Sequence, residues 1–388
     1  MPDRVVLLTI PGLAAGDLSQ MPNLRSKLAD GDRAVLAPSC PCTAGPVRAN
    51  MATGVTCGEH GIVADRLYLR QRRQVEADPM WSDFLEAPTI WRVLHEHQPQ
   101  TCSALCFVPG SHACGASLTC NSDRNRPGLL AHPASVATEF SSPETLSQSD
   151  DPLSAAKVVS HLVEKREPDF LWCEFSQIAA AAEVNDPVGP QANETRHAVD
   201  VALGLLFSAI EDHYDSPPLW LVVSPYTISP TRHVLYPNRL LMEAGLATIG
   251  STNENDPDPH SRAWALTDRQ VAHVYVRDRE PVIVSDVVHL FAGRPGVAEV
   301  LAGEERSKYD LAQERAGDVV VISTPDTWQA AICGASDEAA LAIRGSHGAP
   351  PTDDAQRGTI FASERGVLAG RLLLDTDVCD LVLRQFGI

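Results

Sequence analysis

Residues 151–175 read Asp-Pro-Leu-Ser-Ala-Ala-Lys-Val-Val-Ser-His-Leu-Val-Glu-Lys-Arg-Glu-Pro-Asp-Phe-Leu-Trp-Cys-Glu-Phe. Leu153, Ala156, Val159, Leu162 and Val163 recur at helical spacing. Asp151 is placed to cap that helix, and Pro152 stands in its first turn, where a missing N–H costs nothing. Asp169–Phe175 follow as an apolar run without polar alternation, which predicts a strand buried on both faces. The same unit recurs on either side. Glu194–His213 carry Val199, Ala202, Leu206 and Ile210 on one helical face and lead to the apolar strand Pro218–Val223. Upstream, the helix Thr89–His97 leads to the strand Thr101–Val108. At the start, Val5–Ile10 read as a strand ended by Pro11-Gly12. Met21–Asp30 then read as a helix, with Gly31 where a C-cap is preferred. Apolar strands alternating with helices predict an α/β fold, doubly wound, with a mostly parallel central sheet covered by helices on both faces.

Two regions break this rhythm. Residues 109–151 are rich in Ser, Thr, Pro, Asn and Asp and read as a long surface excursion. After the polar loop Glu254–His260, the runs Ala263–Leu266, Val271–Val276, Val282–Phe291 and Val319–Ser323 predict a smaller β-rich subdomain. The expected organisation is one domain over 1–388, with an inserted α+β subdomain at roughly 245–335 and the excursion at 109–151.

Composition removes several classes of function. The 388 residues hold 50 acidic and 31 basic side chains, a formal charge of −19. That balance opposes generic nucleic-acid binding, which rests on basic clusters. It also argues against a strongly electropositive pocket. No apolar run reaches the ~18 residues of a membrane-spanning helix. The first residues lack the features of an export signal, so the expected compartment is the cytoplasm. The ten cysteines contain no C-x-x-C pair and read as reduced structural thiols. No dinucleotide fingerprint, phosphate-binding P-loop or nucleophile elbow occurs. His95 and His97, on one helix, point about 200° apart and cannot share a metal. His60 reads as a loop brace.

One segment is more specific. Pro38–Gly54 (Pro-Ser-Cys-Pro-Cys-Thr-Ala-Gly-Pro-Val-Arg-Ala-Asn-Met-Ala-Thr-Gly) runs into Gly58-Glu59-His60-Gly61-Ile62-Val63, with Met21-Pro22-Asn23-Leu24 upstream. Tyr236–Arg239, Asp268–Val276 and Gly345-Ser346-His347-Gly348 continue the pattern. This order resembles the type I phosphodiesterase/nucleotide pyrophosphatase family of the alkaline phosphatase superfamily. The resemblance implies an alkaline-phosphatase-like fold and two divalent metals, usually zinc, that activate a Thr or Ser nucleophile at a helix start. Two cations would stabilise the attacking and leaving oxygens.

Slot by slot, the residues depart from that chemistry. The strand-one ligand position holds Pro11. Counting back from Thr53-Gly54, the nucleophile position holds Ala44, with Thr43 one residue early as a weak substitute. The ligand pair after the strand Asp169–Phe175 falls on Ala179–Ala182, with Glu183 or Asp186 in the histidine position. The next pair becomes Ser224-Pro225-Tyr226. Of the metal ligands the resemblance implies, only His347 remains. Arg48, one helical turn past the helix start, lies where a phosphate would sit. Thr43, Glu183, Asp186, Tyr226, Asp353 and Asp354 are further candidates to refill the pocket. Cys40 and Cys42 flank the same loop. The expectation is a family member without the inherited catalysis that binds a phosphorylated small molecule, a nucleotide or a partner. The alternative is an active phosphodiesterase or phosphatase with a rearranged site.

Overall fold

The computed structural model describes residues 4–77, 79–122, 129–139, 151–248, 258–330, 342–352, 356–368, 370 and 372–388. In chain order its principal strands are β1 (Val5–Thr9), β2 (Asp32–Ala37), β3 (Ser103–Cys106), β4 (Leu118–Ser122), β5 (Leu129–His132), β6 (Phe170–Glu174), β7 (Leu219–Tyr226), β8 (Ala263–Asp268), β9 (Val271–Val276), β10 (Val297–Ala302), β11 (Val319–Ser323), β12 (Arg357–Ala362) and β13 (Leu372–Leu374). The principal helices are α1 (Pro22–Lys27), α2 (Ala44–Thr53), α3 (Ile90–His97), α4 (Pro152–Arg166), α5 (Gln177–Val184), α6 (Pro190–His213), α7 (Pro281–Phe291) and α8 (Asp377–Gln385).

Nine strands form the central sheet in the order β13-β2-β12-β7-β1-β6-β3-β4-β5. β7, β1, β6, β3 and β4 run parallel, and β12 and β5 run against their neighbours. β1 shows why both faces must be covered. Val6 and Leu8 enter one core with residues of α4 (Val158, Val159, Leu162) and α6 (Val199, Leu203, Leu206, Ile210). Val5 and Leu7 enter the other, with residues of α2 (Val47, Met51), α3 (Ile90, Trp91, Leu94) and α8 (Val378, Val382). A strand whose two faces are both buried has no polar alternation to display. The Asp151 carboxylate accepts from Ser154 N at 2.9 Å, the expected cap of α4. α1 gets its cap from a distance. The buried Asp200 of α6 accepts from the backbone N–H groups of Asn23 and Leu24.

Three expectations need correction. First, 109–151 is not only a surface excursion. Its described residues supply β4 and β5 at the sheet edge, with Leu118, Cys120 and Ala131 buried. Polar spacers between short strands hid the pattern. Second, Val282–Phe291 is the helix α7, not a strand. Pro281 opens it, and Ile283, Val287 and Phe291 recur every four residues on its buried side. Third, α1 ends at Lys27 with Leu28 as its C-cap, so Gly31 caps nothing. A Cβ there would lie 1.8 Å from the carbonyl oxygen of Ala362. Glycine is needed because β2 begins hard against the end of β12.

β8, β9, β11 and β10 form a separate antiparallel sheet, with α7 in its core. The β8–β9 hairpin turns through Arg269-Gln270, with Arg269 at φ 58°. No helix among the described residues is long and apolar enough to cross a membrane.

Candidate functional site

A cavity of about 460 Å³ opens beyond the carboxyl ends of the central strands, the usual ligand position in such sheets. Its walls include Pro11 after β1, Ala44 and Arg48 of α2, Ala179, Ala180 and Glu183 of α5, Tyr226 ending β7, and His347. These are the slot residues named from the sequence, and the fold brings them to one pocket. The hairpin tip adds Asp268 and Arg269, and the loop after the short helix Cys57–His60 adds Asp65 and Arg66.

Two of the three arginines lining this cavity, Arg48 and Arg269, are met by carboxylates of the protein, and Arg66 donates to the Thr267 carbonyl at 2.7 Å. Arg48 donates Nε and Nη2 to the two Glu174 oxygens at 2.8 and 2.6 Å. Glu174 ends β6 and is buried, and Thr9 at the end of β1 donates to it as well. Burial works against the Arg48 charge, but the Glu174 carboxylate outweighs it and holds the guanidinium protonated. Arg269 pairs with Glu183 at 2.8 Å. Burial raises the Glu183 pKa, yet the His347 hydrogen bond and the Arg269 charge pull it down to about 2. The free N–H groups at the start of α2 would favour an anion. Asp65 already supplies one, accepting from Gly45 N at 2.5 Å. Asp268 accepts from Asp65 N at 2.9 Å. Its own pKa is raised, first by burial and then by the nearby Asp65 charge.

His347 is held on three sides. Nδ1 lies 2.8 Å from the Cys42 carbonyl, Nε2 lies 3.3 Å from Glu183 Oε1, and Tyr226 stacks on the ring at 4.0 Å. Both polar neighbours, the Cys42 carbonyl and the Glu183 carboxylate, are hydrogen-bond acceptors. Pro11, Ala179 and Ala180 bring no donor to the pocket wall, and Ser224 is fully buried with its hydroxyl on the Tyr226 carbonyl. Among the described residues no three His, Cys, Asp or Glu side chains are grouped to hold a metal ion. The two-metal centre implied by the resemblance therefore does not fit these residues. His347, the metal ligand expected from the resemblance, lies between the Cys42 carbonyl and the Glu183 carboxylate.

The remaining candidates sort plainly. Thr43 is fully buried, outside the cavity wall, and its hydroxyl caps nothing in α2. Asp186 is exposed away from the cavity, bonded to Val188 N. Asp353 and Asp354 lie outside the described residues. Burial raises the pKa of Cys40 and Cys42, with Cys42 and Asp375 respectively adding to it, which keeps both thiols protonated and inert. His60 braces its loop, accepting from Ile62 N and donating to Asn50 Oδ1 at 2.6 Å. Sequence reasoning missed Glu174, Asp65, Asp268 and Arg269. Glu174 did leave a signal, a carboxylate closing an otherwise apolar strand.

Comparisons with known proteins agree with the fold. The family model for type I phosphodiesterase/nucleotide pyrophosphatase matches residues 5–350. No curated protein matches the chain. Phosphonoacetate hydrolase from Sinorhizobium meliloti 1021, solved with phosphonoformate, superposes with a TM-score of 0.68 at 18% identity, covering 98% of this chain and 96% of its own. Murine ectonucleotide pyrophosphatase/phosphodiesterase 5 superposes with a TM-score of 0.73 at 14% identity, covering 99% and 95%. Its inactive threonine-to-alanine variant in complex with AMP gives 0.74 at 15%, covering the same shares. These neighbours share the alkaline-phosphatase-like architecture, and the chain belongs to the type I phosphodiesterase/nucleotide pyrophosphatase family.

Proposed function

We propose that this chain is a non-catalytic member of its family whose cavity binds a phosphorylated small molecule such as a nucleotide. The observation that carries the proposal is the cavity wall itself. Alanine stands at the first residue of α2, and proline and alanines stand where metal ligands are needed. An alanine offers no nucleophile. The pocket retains the arginines and the helix start that suit a phosphate. The murine relative in its inactive threonine-to-alanine form holds AMP, and the bacterial hydrolase holds phosphonates, which supports a phosphate or phosphonate group in this cavity.

The internal carboxylates set how such a ligand binds. Asp65 occupies the Gly45 N–H, so an incoming phosphate has to displace it. Asp65→Asn should then tighten AMP binding severalfold in calorimetry. Unchanged or weaker binding would place AMP elsewhere. Catalysis is tested separately. Purified protein should carry far less than one equivalent of zinc or manganese and should not turn over a nitrophenyl phosphodiester. Two equivalents of metal with turnover would establish the rearranged active site instead.

A further inference from the structure

A second cavity, of about 370 Å³, lies by the small sheet near the start of β8. Its volume is in the range of small-molecule sites. Three aromatic rings cluster in its wall. Tyr68 lies 5.3 Å from Trp264 and 4.8 Å from Tyr275, and Trp264 stacks on Tyr275 at 5.8 Å. Four arginines also line it, Arg70, Arg73, Arg277 and Arg279, against two aspartates. In a chain of net charge −19 this is a local reversal of sign.

Among the described residues the arginines are not paired one for one with carboxylates. Among the described residues, Asp318 pairs with both Arg70, at 2.8 Å, and Arg279, at 3.5 Å. Arg70 Nε is buried and has no hydrogen-bond partner, while its guanidinium lies 5.0 Å over the Tyr275 ring. Arg306 is held below the usual arginine range by burial, and the Arg279 and Arg70 charges add to that despite Asp318. The backbone is unusual at the same rim. Arg73, Asp278 and Arg279 all sit at positive φ, 51°, 54° and 52°. Side-chained residues adopt that region rarely, and such residues gather at ligand clamps.

We propose that this cavity binds a planar aromatic anion of the nucleoside polyphosphate class, its ring against Trp264 and Tyr68 and its phosphates on Arg73 and Arg279. Aromatic rings take a base through its π-face, and arginine matches phosphate oxygens with a planar fork. This site is separate from the cavity beyond the central strands and does not depend on the reading given for that one.

Calorimetric titration of the full chain with ATP, inorganic tripolyphosphate and adenosine tests it. ATP should bind, and the other two should bind at least about tenfold more weakly, because each lacks one half of the recognition. Trp264→Ala and the double variant Arg73→Ala/Arg279→Ala should each weaken ATP binding by about tenfold or more, with circular dichroism unchanged. The two arginines are exposed, so the double variant carries the test if Trp264→Ala fails to fold. The proposal is overturned by no ATP binding at millimolar concentration, or by equal affinity for ATP and tripolyphosphate. ATP affinity that responds to Asp65→Asn but not to Trp264→Ala also overturns it.

Discussion

Arg48 is 12% exposed and Glu174 1%, so their pair is an ion pair inside the protein. Removing one partner of such a pair leaves the other charged and without solvent. Arg48→Ala should therefore cost about 3–5 kcal/mol of stability, read as a lower urea midpoint. Arg48→Ala/Glu174→Gln should recover most of that loss, because the stranded charge is gone. A single variant that costs less than about 1 kcal/mol would mean that water reaches Glu174. Ala44→Thr tests the other half of the site. It restores a hydroxyl at the start of α2 but no metal ligand, since Pro11, Ala179 and Ala180 remain. Turnover of a phosphodiester should stay at background, and substantial rescue would show the slot assignment to be wrong. The slots were assigned in the sequence from the family's spacing, against which a missing Asp or Thr stands out. The substitutes were not. Glu174, Asp65 and Arg269 come from three separate segments and acquire meaning only when the fold brings them to one pocket.

At the scale of elements, Gly31 separates two readings that a sequence alone merges. A capping glycine can be exchanged for Ala at about 1 kcal/mol. Gly31 instead faces the backbone of β12, where a Cβ would meet the Ala362 oxygen at 1.8 Å. A backbone oxygen inside a sheet cannot swing aside. Gly31→Ala should cost about 3 kcal/mol or more by thermal or urea melting. Gly16 has open space around it, and Gly16→Ala should be neutral or slightly stabilising. Equal effects of the two changes would sink the close-approach argument. Strands β1, β3, β6 and β7 and helices α3, α4 and α6 were legible because their burial writes a periodic pattern into the chain. α7 was misread because Val282, Val284, Val287 and Val288 are β-branched, and propensity spoke against a helix that Pro281 and the four-residue period supported. β4 and β5 were missed because short strands of four or five residues carry too few apolar positions to show alternation.

For the whole molecule, a charge of −19 describes the average surface and neither cavity. One cavity pairs Arg48 and Arg269 with internal carboxylates, and the other gathers four arginines against two aspartates in its wall. The buried titratable groups instead set how the fold answers pH. His60 is held down to about 3 by burial, with Arg315 adding, and His273 to about 4 by burial, with Arg306 adding. Both take up protons near pH 6.5 only when unfolded, so each removes stability as pH falls through 6.5, at up to about 1.4 kcal/mol per pH unit, until its folded pKa is passed. Glu183, held at about 2, adds a third loss between about pH 4.5 and 2. Asp268 and Asp375 act in the opposite direction. Burial raises the pKa of both, so the folded state binds protons that the unfolded chain does not, and stability rises as pH falls toward the ordinary carboxylate range. The opposing terms should give a shallow dependence in the mildly acidic range and a steep fall below about pH 4.5. Asp268→Asn isolates one of them. The amide oxygen can still accept from Asp65 N, and no charge is buried, so the variant should be more stable than the parent at pH 7 by about 1 kcal/mol or more. That advantage should shrink as pH falls, because the parent gains its proton while the variant has none to gain. Urea midpoints measured from pH 7 to pH 4 on both proteins check this, and parallel curves would show that Asp268 titrates as an ordinary surface carboxylate.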